Sequence, residues 1–132
     1  MSLQRKVMAP LLPGLDPART FNQQASAVVR GGAFLFVSGL VAVDPVTGER
    51  IRGSTARETQ RILENLGLIL AAAGCSLDKV VKVNVLLRSM LEAPNMNEVY
   101  ARFFPESPPA RTVCGVHLPE DVRVMIECTA LA

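Results

Sequence analysis

Val80-Val81-Lys82-Val83-Asn84-Val85-Leu86-Leu87 places Val81, Val83, Val85 and Leu87 on one parity and Lys82 and Asn84 on the other. Successive strand side chains point to opposite faces, so this stretch predicts a half-buried strand. Helical periods flank it on both sides. Upstream, Ile62, Leu66, Ile69, Leu70 and Ala73 share one face at helical spacing. Thr55 and Glu58 have capping-box spacing, with Ser54 just before, and Gly74 stands where a left-handed C-terminal residue is wanted. A helix over about Thr55 to Ala73 follows. Downstream, Pro94 suits a first helical turn, Met96, Val99, Tyr100, Phe103 and Phe104 form an apolar stripe, and Pro105, Pro108 and Pro109 end it.

Working outward, residues 1–23 carry Pro10, Pro13 and Pro17 without a clear period and read as an irregular leader before one domain, 24–132. Gln24 to Arg30 alternates weakly, as an extended piece would. Gly31-Gly32 marks a turn into the strand-like run Phe34-Leu35-Phe36-Val37. Ser38-Gly39 suggests a bulge or a close backbone approach. Leu40 to Val43 is a further extended piece, running into the reversal signals Asp44-Pro45 and Thr47-Gly48. At the other end, Ala110 to His117 and Val122 to Leu131 read as two strands joined by a hairpin loop at Leu118-Pro119-Glu120-Asp121. The order predicts an α+β fold, a mixed sheet with two helices on one face. Nothing is left in the chain to cover the other face, so self-association through it is expected.

Composition narrows the function. The 132 residues are 49% hydrophobic with a formal net charge of +2, so the overall charge asks for no polyanionic partner. Aromatics make up 5% with no Trp, few platforms for stacking bases, which argues against a nucleic-acid partner. Cys75, Cys114, Cys128 and the lone His117 match no metal-ligand spacing, so no metal site is expected. The cysteines read as reduced thiols of a cytoplasmic protein. No signal peptide and no membrane-length apolar run is evident.

Phosphate loops and nucleophile elbows are missing too. Arg111 and Glu127 remain. Glu127 lies inside Val124-Met125-Ile126-Glu127-Cys128, where a carboxylate is costly unless paired. With a three-residue hairpin loop, Arg111 would fall opposite Glu127 on one face; a one-residue slip would separate them. The pair reads either as a structural ion pair at a subunit contact or as a pocket. In the second case the guanidinium grips a substrate carboxylate and the carboxylate steers a water.

The chain resembles the RidA/YjgF family, also called endoribonuclease L-PSP-like. The resemblance rests on Pro109-Ala110-Arg111-Thr112, Leu118-Pro119 and Val124-Met125-Ile126-Glu127. Leu63-Glu64-Asn65-Leu66, Ala72-Ala73-Gly74 and Asn97 to Phe104 extend it, with Ser38-Gly39, Asp44-Pro45 and Thr47-Gly48-Glu49. It implies a chorismate-mutase-like homotrimer, a barrel with helices outside and pockets between subunits. It also implies cofactor-free hydrolysis of small carboxylate-bearing enamines and imines such as 2-aminoacrylate, giving 2-keto acids and ammonia, a 2-iminobutanoate/2-iminopropanoate deaminase-like activity. By this resemblance Arg111 binds the substrate carboxylate and Glu127 positions water. Ser38 and Gly39 line the cleft, and Asn97 supports it. The sequence departs from the family at Ala25, where Tyr is frequent, at Leu40, where Gln is, and at Val113, where Cys is; Cys114 stands next to it. These changes alter the pocket wall and so bear on the substrate. Two other functions stay open: a non-catalytic small-molecule binder or regulator, and the ribonuclease or translation inhibitor of the older label.

Overall fold

A computed structural model describes residues 5–8, 12–17 and 24–132. Six strands, β1 (Arg5–Met8), β2 (Val28–Gly31), β3 (Phe34–Leu40), β4 (Val80–Leu87), β5 (Ala110–Gly115) and β6 (Val124–Leu131), form one sheet in the order β1-β2-β3-β6-β4-β5. Helix α1 (Thr55–Ala72) and helix α2 (Ala93–Phe103) pack on one face of it. The α+β architecture, a mixed sheet with two helices, is the one predicted. Part of the supposed leader is regular, however. Arg5–Met8 is an edge strand, with Val7 opposite Val29. The rest of that leader reading falls partly on residues outside those described.

The final hairpin does not exist. β6 lies between β3 and β4, antiparallel to both, and β5 runs parallel to β4 at the sheet edge. A parallel neighbour needs a long crossover, and α2 provides it between β4 and β5. Residues 116–123 therefore cross to β6 without making a tight turn. Arg88 holds that crossing, donating from Nε to the Val122 carbonyl (2.7 Å) and from Nη2 to the Leu118 carbonyl (2.9 Å).

Strand alternation sorts the sheet into two faces. Leu35, Val37, Val83, Val85, Leu87, Val124, Ile126, Cys128 and Ala130 are buried against Ile62, Leu63, Leu66, Ile69, Leu70 and Met96. The opposite face carries Phe34, Phe36, Lys82, Asn84, Glu127, Thr129 and Leu131. Val81 falls at the register shift between Val80 and Lys82 and is exposed, so it leaves the row of Val83 and Val85. At the start of α1 the cap is Ser54, not Thr55: the Ser54 hydroxyl accepts from the Arg57 N–H at 3.0 Å.

Candidate functional site

Three groups of candidate residues stand apart in the chain. The first is the Arg111 corner. Arg111 lies opposite Val83, so its side chain leaves the helix-covered face at the sheet edge and meets α2. Its Nη1 donates to Asn97 Oδ1 at 2.7 Å, and its guanidinium carbon sits 4.7 Å from the centroid of the Tyr100 ring. Both contacts follow from helical spacing, which stacks residues three apart. The guanidinium is exposed, and no ion pair engages it among the described residues. Asn97, Tyr100, Ala101, Phe104, Pro109 and Arg111 border an open hollow of about 360 Å³. The Tyr100 hydroxyl is buried without a hydrogen-bond partner, and burial pushes its pKa up, so the ring presents a neutral face to the cation. Val113 lies two residues farther along β5, opposite Val85 and half-buried.

The second group is Ser38-Gly39. The predicted irregularity is present: the β3–β6 register shifts between Val37 and Leu40. The Ser38 hydroxyl donates to the Ser26 carbonyl at 2.5 Å, and its N–H donates to the Ala27 carbonyl at 2.9 Å. Ser38 thus ties the chain to the segment containing Ala25, and its proton is already committed. Gly39 is the half of the pair that borders a cavity. A β-carbon there would come within 2.7 Å of the Met125 sulfur, so glycine leaves room for the Met125 side chain. Gly39, Val41, Arg50, Pro119, Glu120, Val122 and Met125 line a cavity of about 170 Å³.

The third is Glu127 on the open face, opposite Asn84, whose Nδ2 donates to Glu127 Oε1 at 3.0 Å. Arg111 and Glu127 do not share a face as the hairpin register required. With β4 between their strands they sit two strand spacings apart, roughly 9.6 Å, and point to opposite sides. Within one chain they are neither an ion pair nor the two walls of one pocket.

Several participants escaped sequence reading. Arg50 and Arg88 carried no local signal, and Tyr100 was read as part of an apolar stripe. Glu58 looked like half of a capping box. It is instead 1% exposed, accepts from the Arg123 N–H at 3.1 Å and lies 3.6 Å from Arg123 Nε. Burial pushes its pKa up, against the pull of that N–H and of Arg50 and Arg123. An acid four residues before an apolar stripe was the available signal, and it fitted two explanations. Cys75 and Cys128 are buried and Cys114 half-buried, and burial pushes the Cys128 thiol up to about 12, away from nucleophilic chemistry. Among the described residues no cluster of His, Cys, Asp and Glu could hold a metal ion, and no helix is long and apolar enough to cross a membrane.

The family model described as Endoribonuclease L-PSP matches residues 15–132. The chain belongs to that family, the one also called RidA/YjgF. A RutC family protein of Pyrococcus horikoshii is 46% identical over 106 residues, 80% of this chain and 84% of that protein. A mouse protein named 2-iminobutanoate/2-iminopropanoate deaminase is 40% identical over 107 residues, 80% of this chain and 79% of its own. Among solved structures, RidA from an Antarctic Psychrobacter superposes with a TM-score of 0.79 at 30% identity, covering 100% of this chain and 99% of that one. The L-PSP family therefore includes members named as imine deaminases, and this chain is similar to them along most of its length.

Proposed function

We propose that this protein hydrolyses small carboxylate-bearing imines and enamines to 2-keto acids and ammonia, in pockets that form between the copies of a cytoplasmic homotrimer. The observation that carries the reading is the Arg111 guanidinium. It is exposed, forms no ion pair among the described residues, and is aimed by Asn97 and Tyr100. A planar fork held in this way suits a carboxylate, which it can grip through two parallel hydrogen bonds. With the acid fixed, the imine carbon is presented to water. Water adds across the C=N bond, the new C–O bond becomes the ketone, and the C–N bond breaks as protonated nitrogen leaves with its electron pair as ammonia. An imine carbon is already electrophilic, so orientation supplies much of the acceleration.

Glu127 is the proposed water-positioning acid. One carboxylate oxygen is anchored by Asn84, which leaves the other for a water. Since Arg111 points to the other side of the sheet, Glu127 serves a pocket that a second copy completes. Val113 and Gly39 supply walls, and Asn97 supports Arg111.

A second reading is a small-molecule binder without turnover. It is favoured by Met125, a thioether, being the β6 side chain that reaches Gly39, with Glu127 two residues farther along the strand. One experiment separates the two. Ammonia release from 2-aminoacrylate, generated in situ by a dehydratase, is followed with the wild type, Arg111→Ala and Glu127→Gln. The hydrolase reading expects acceleration that falls by about 100-fold without Arg111, the worth of a good charged hydrogen-bond pair. No acceleration by the wild type, together with keto acid binding that needs Arg111, would leave the binder.

A further inference from the structure

The Gly39 cavity has a cation in its lining, Arg50. Arg50 follows the Asp44 reversal, where Asp44 Oδ1 accepts from the Val46 and Thr47 N–H groups and Gly48 turns at φ 80°. The Val43–Arg50 bridge then directs the side chain under residues 119–122. Only 10% of the Arg50 side chain is exposed, and its Nε is buried with no hydrogen-bond partner. An unsatisfied buried donor is expensive, so a site that leaves one open suits an incoming acceptor.

The buried Glu58 carboxyl lies within the field of Arg50, and the contacts of Arg50 with acids on the surface are long. Nη1 lies 3.6 Å from Glu120 Oε2, and Nη2 lies 3.4 Å from Asp121 Oδ1. Asp121 has a better partner in Arg52, at 2.6 Å. Glu120 is 75% exposed in its side chain and sits at φ 50°, so it can leave for solvent at little cost. Arg50 is thus a loosely engaged guanidinium at one end of a cavity whose walls, Val41, Val122 and Met125, are apolar. A fork above an aliphatic slot fits a short carbon chain that ends in a carboxylate. At about 170 Å³ the cavity is too small for a drug-sized ligand, for which pockets start at about 300 Å³.

We propose that Arg50 selects substrates with a second carboxylate, so that the preferred ligands are imines of short dicarboxylic 2-keto acids. This rests on the hydrolase reading, in which Gly39 lines the substrate pocket. Arg111 of a second copy takes the carboxylate beside the imine, and Arg50 takes the distal one. Glu120 acts as an internal competitor that occupies Arg50 when no dicarboxylate is bound.

Calorimetry with stable keto acids tests this without turnover. The probes are 2-oxoglutarate and 2-oxobutanoate, with inorganic phosphate as a third ligand and ammonia release measured in parallel. The wild type should bind the dicarboxylate about tenfold or more tightly than the monocarboxylate, the scale of one charged hydrogen-bonded contact. Arg50→Met should bring the two to near parity, Arg50→Lys should keep part of the preference, and Glu120→Gln should enlarge it. Equal binding by the wild type overturns the proposal, as does a preference that survives Arg50→Met. Phosphate binding as tight as the dicarboxylate's would also overturn it, marking a general anion site. If Arg50→Met fails to fold by circular dichroism, Glu120→Gln decides, and an unmoved preference there overturns the assignment. A preference lost in Arg50→Met, in a protein that releases no ammonia, supports Arg50 and sinks the hydrolase reading instead.

Discussion

The two faces of the sheet use the same strands and differ in almost everything else. On the helix-covered face Val83, Val85 and Leu87 are each 0% exposed and the packing is apolar. On the other, Phe34, Phe36 and Leu131 are 41–50% exposed at one end, and Lys82, Asn84, Glu127 and Thr129 occupy the middle. The covered face is complete within one chain. The open face presents apolar rings and a polar network that one chain does not enclose. The candidate site residues divide along the same line, Arg111 leaving one face and Glu127 the other, so their joint use requires a second copy.

The sharpest way to break this contrast is to damage each face in turn. Ile126→Ala removes a side chain that is 1% exposed, and it should cost about 2–5 kcal/mol in denaturant unfolding. A cost under 1 kcal/mol would mean that the core relaxes around the hole. On the open face, Phe36→Ser should spare the folded chain and weaken assembly instead, by about 1.5–3 kcal/mol per copy if the ring is fully covered in the oligomer. Sedimentation over a dilution series reads this. Assembly unchanged at all concentrations would place the contact elsewhere.

Arg111 sharpens the comparison from the sheet edge. Arg111 and its hydrogen bond to Asn97 are exposed, so Arg111→Ala should lower stability by only about 0.5–1 kcal/mol. A thermal melt that falls by more than an exposed cation–π contact can explain would make this arginine a strut and not a binding group.

Legibility followed the range of the interactions. The alternation from Lys82 to Leu87, both helices and the bulge at Ser38-Gly39 depend on neighbours in sequence and were readable, while Val81 was misplaced by the register shift beside it. Strand order depends on partners far apart in sequence. Pro119 between two apolar runs looks the same whether the chain turns back or passes across β4, and the hairpin was the wrong choice. That error moved Glu127 to the wrong face relative to Arg111, because register and order fix which side chains meet. Arg50 was hidden for the same reason. Its cavity joins segments 39–41, 50 and 119–125, which no local pattern connects.

The finest test falls on Glu58, the buried acid beside Arg123. Burial holds its folded pKa above the ordinary 4.5, so the folded chain binds this proton more tightly than the unfolded chain does. The stabilisation this provides is fully present below 4.5 and is lost as pH rises through the folded value. Glu58→Gln keeps an acceptor for the Arg123 N–H but does not titrate. Relative to the wild type, the variant should therefore gain stability as pH climbs from 4.5 toward neutrality, in paired unfolding curves across that range. A difference that stays flat would mean that Arg50 and Arg123 fully offset the burial. A difference that moves the other way would mean that they exceed it, and that Glu58 is held as a carboxylate to anchor the strand carrying Met125.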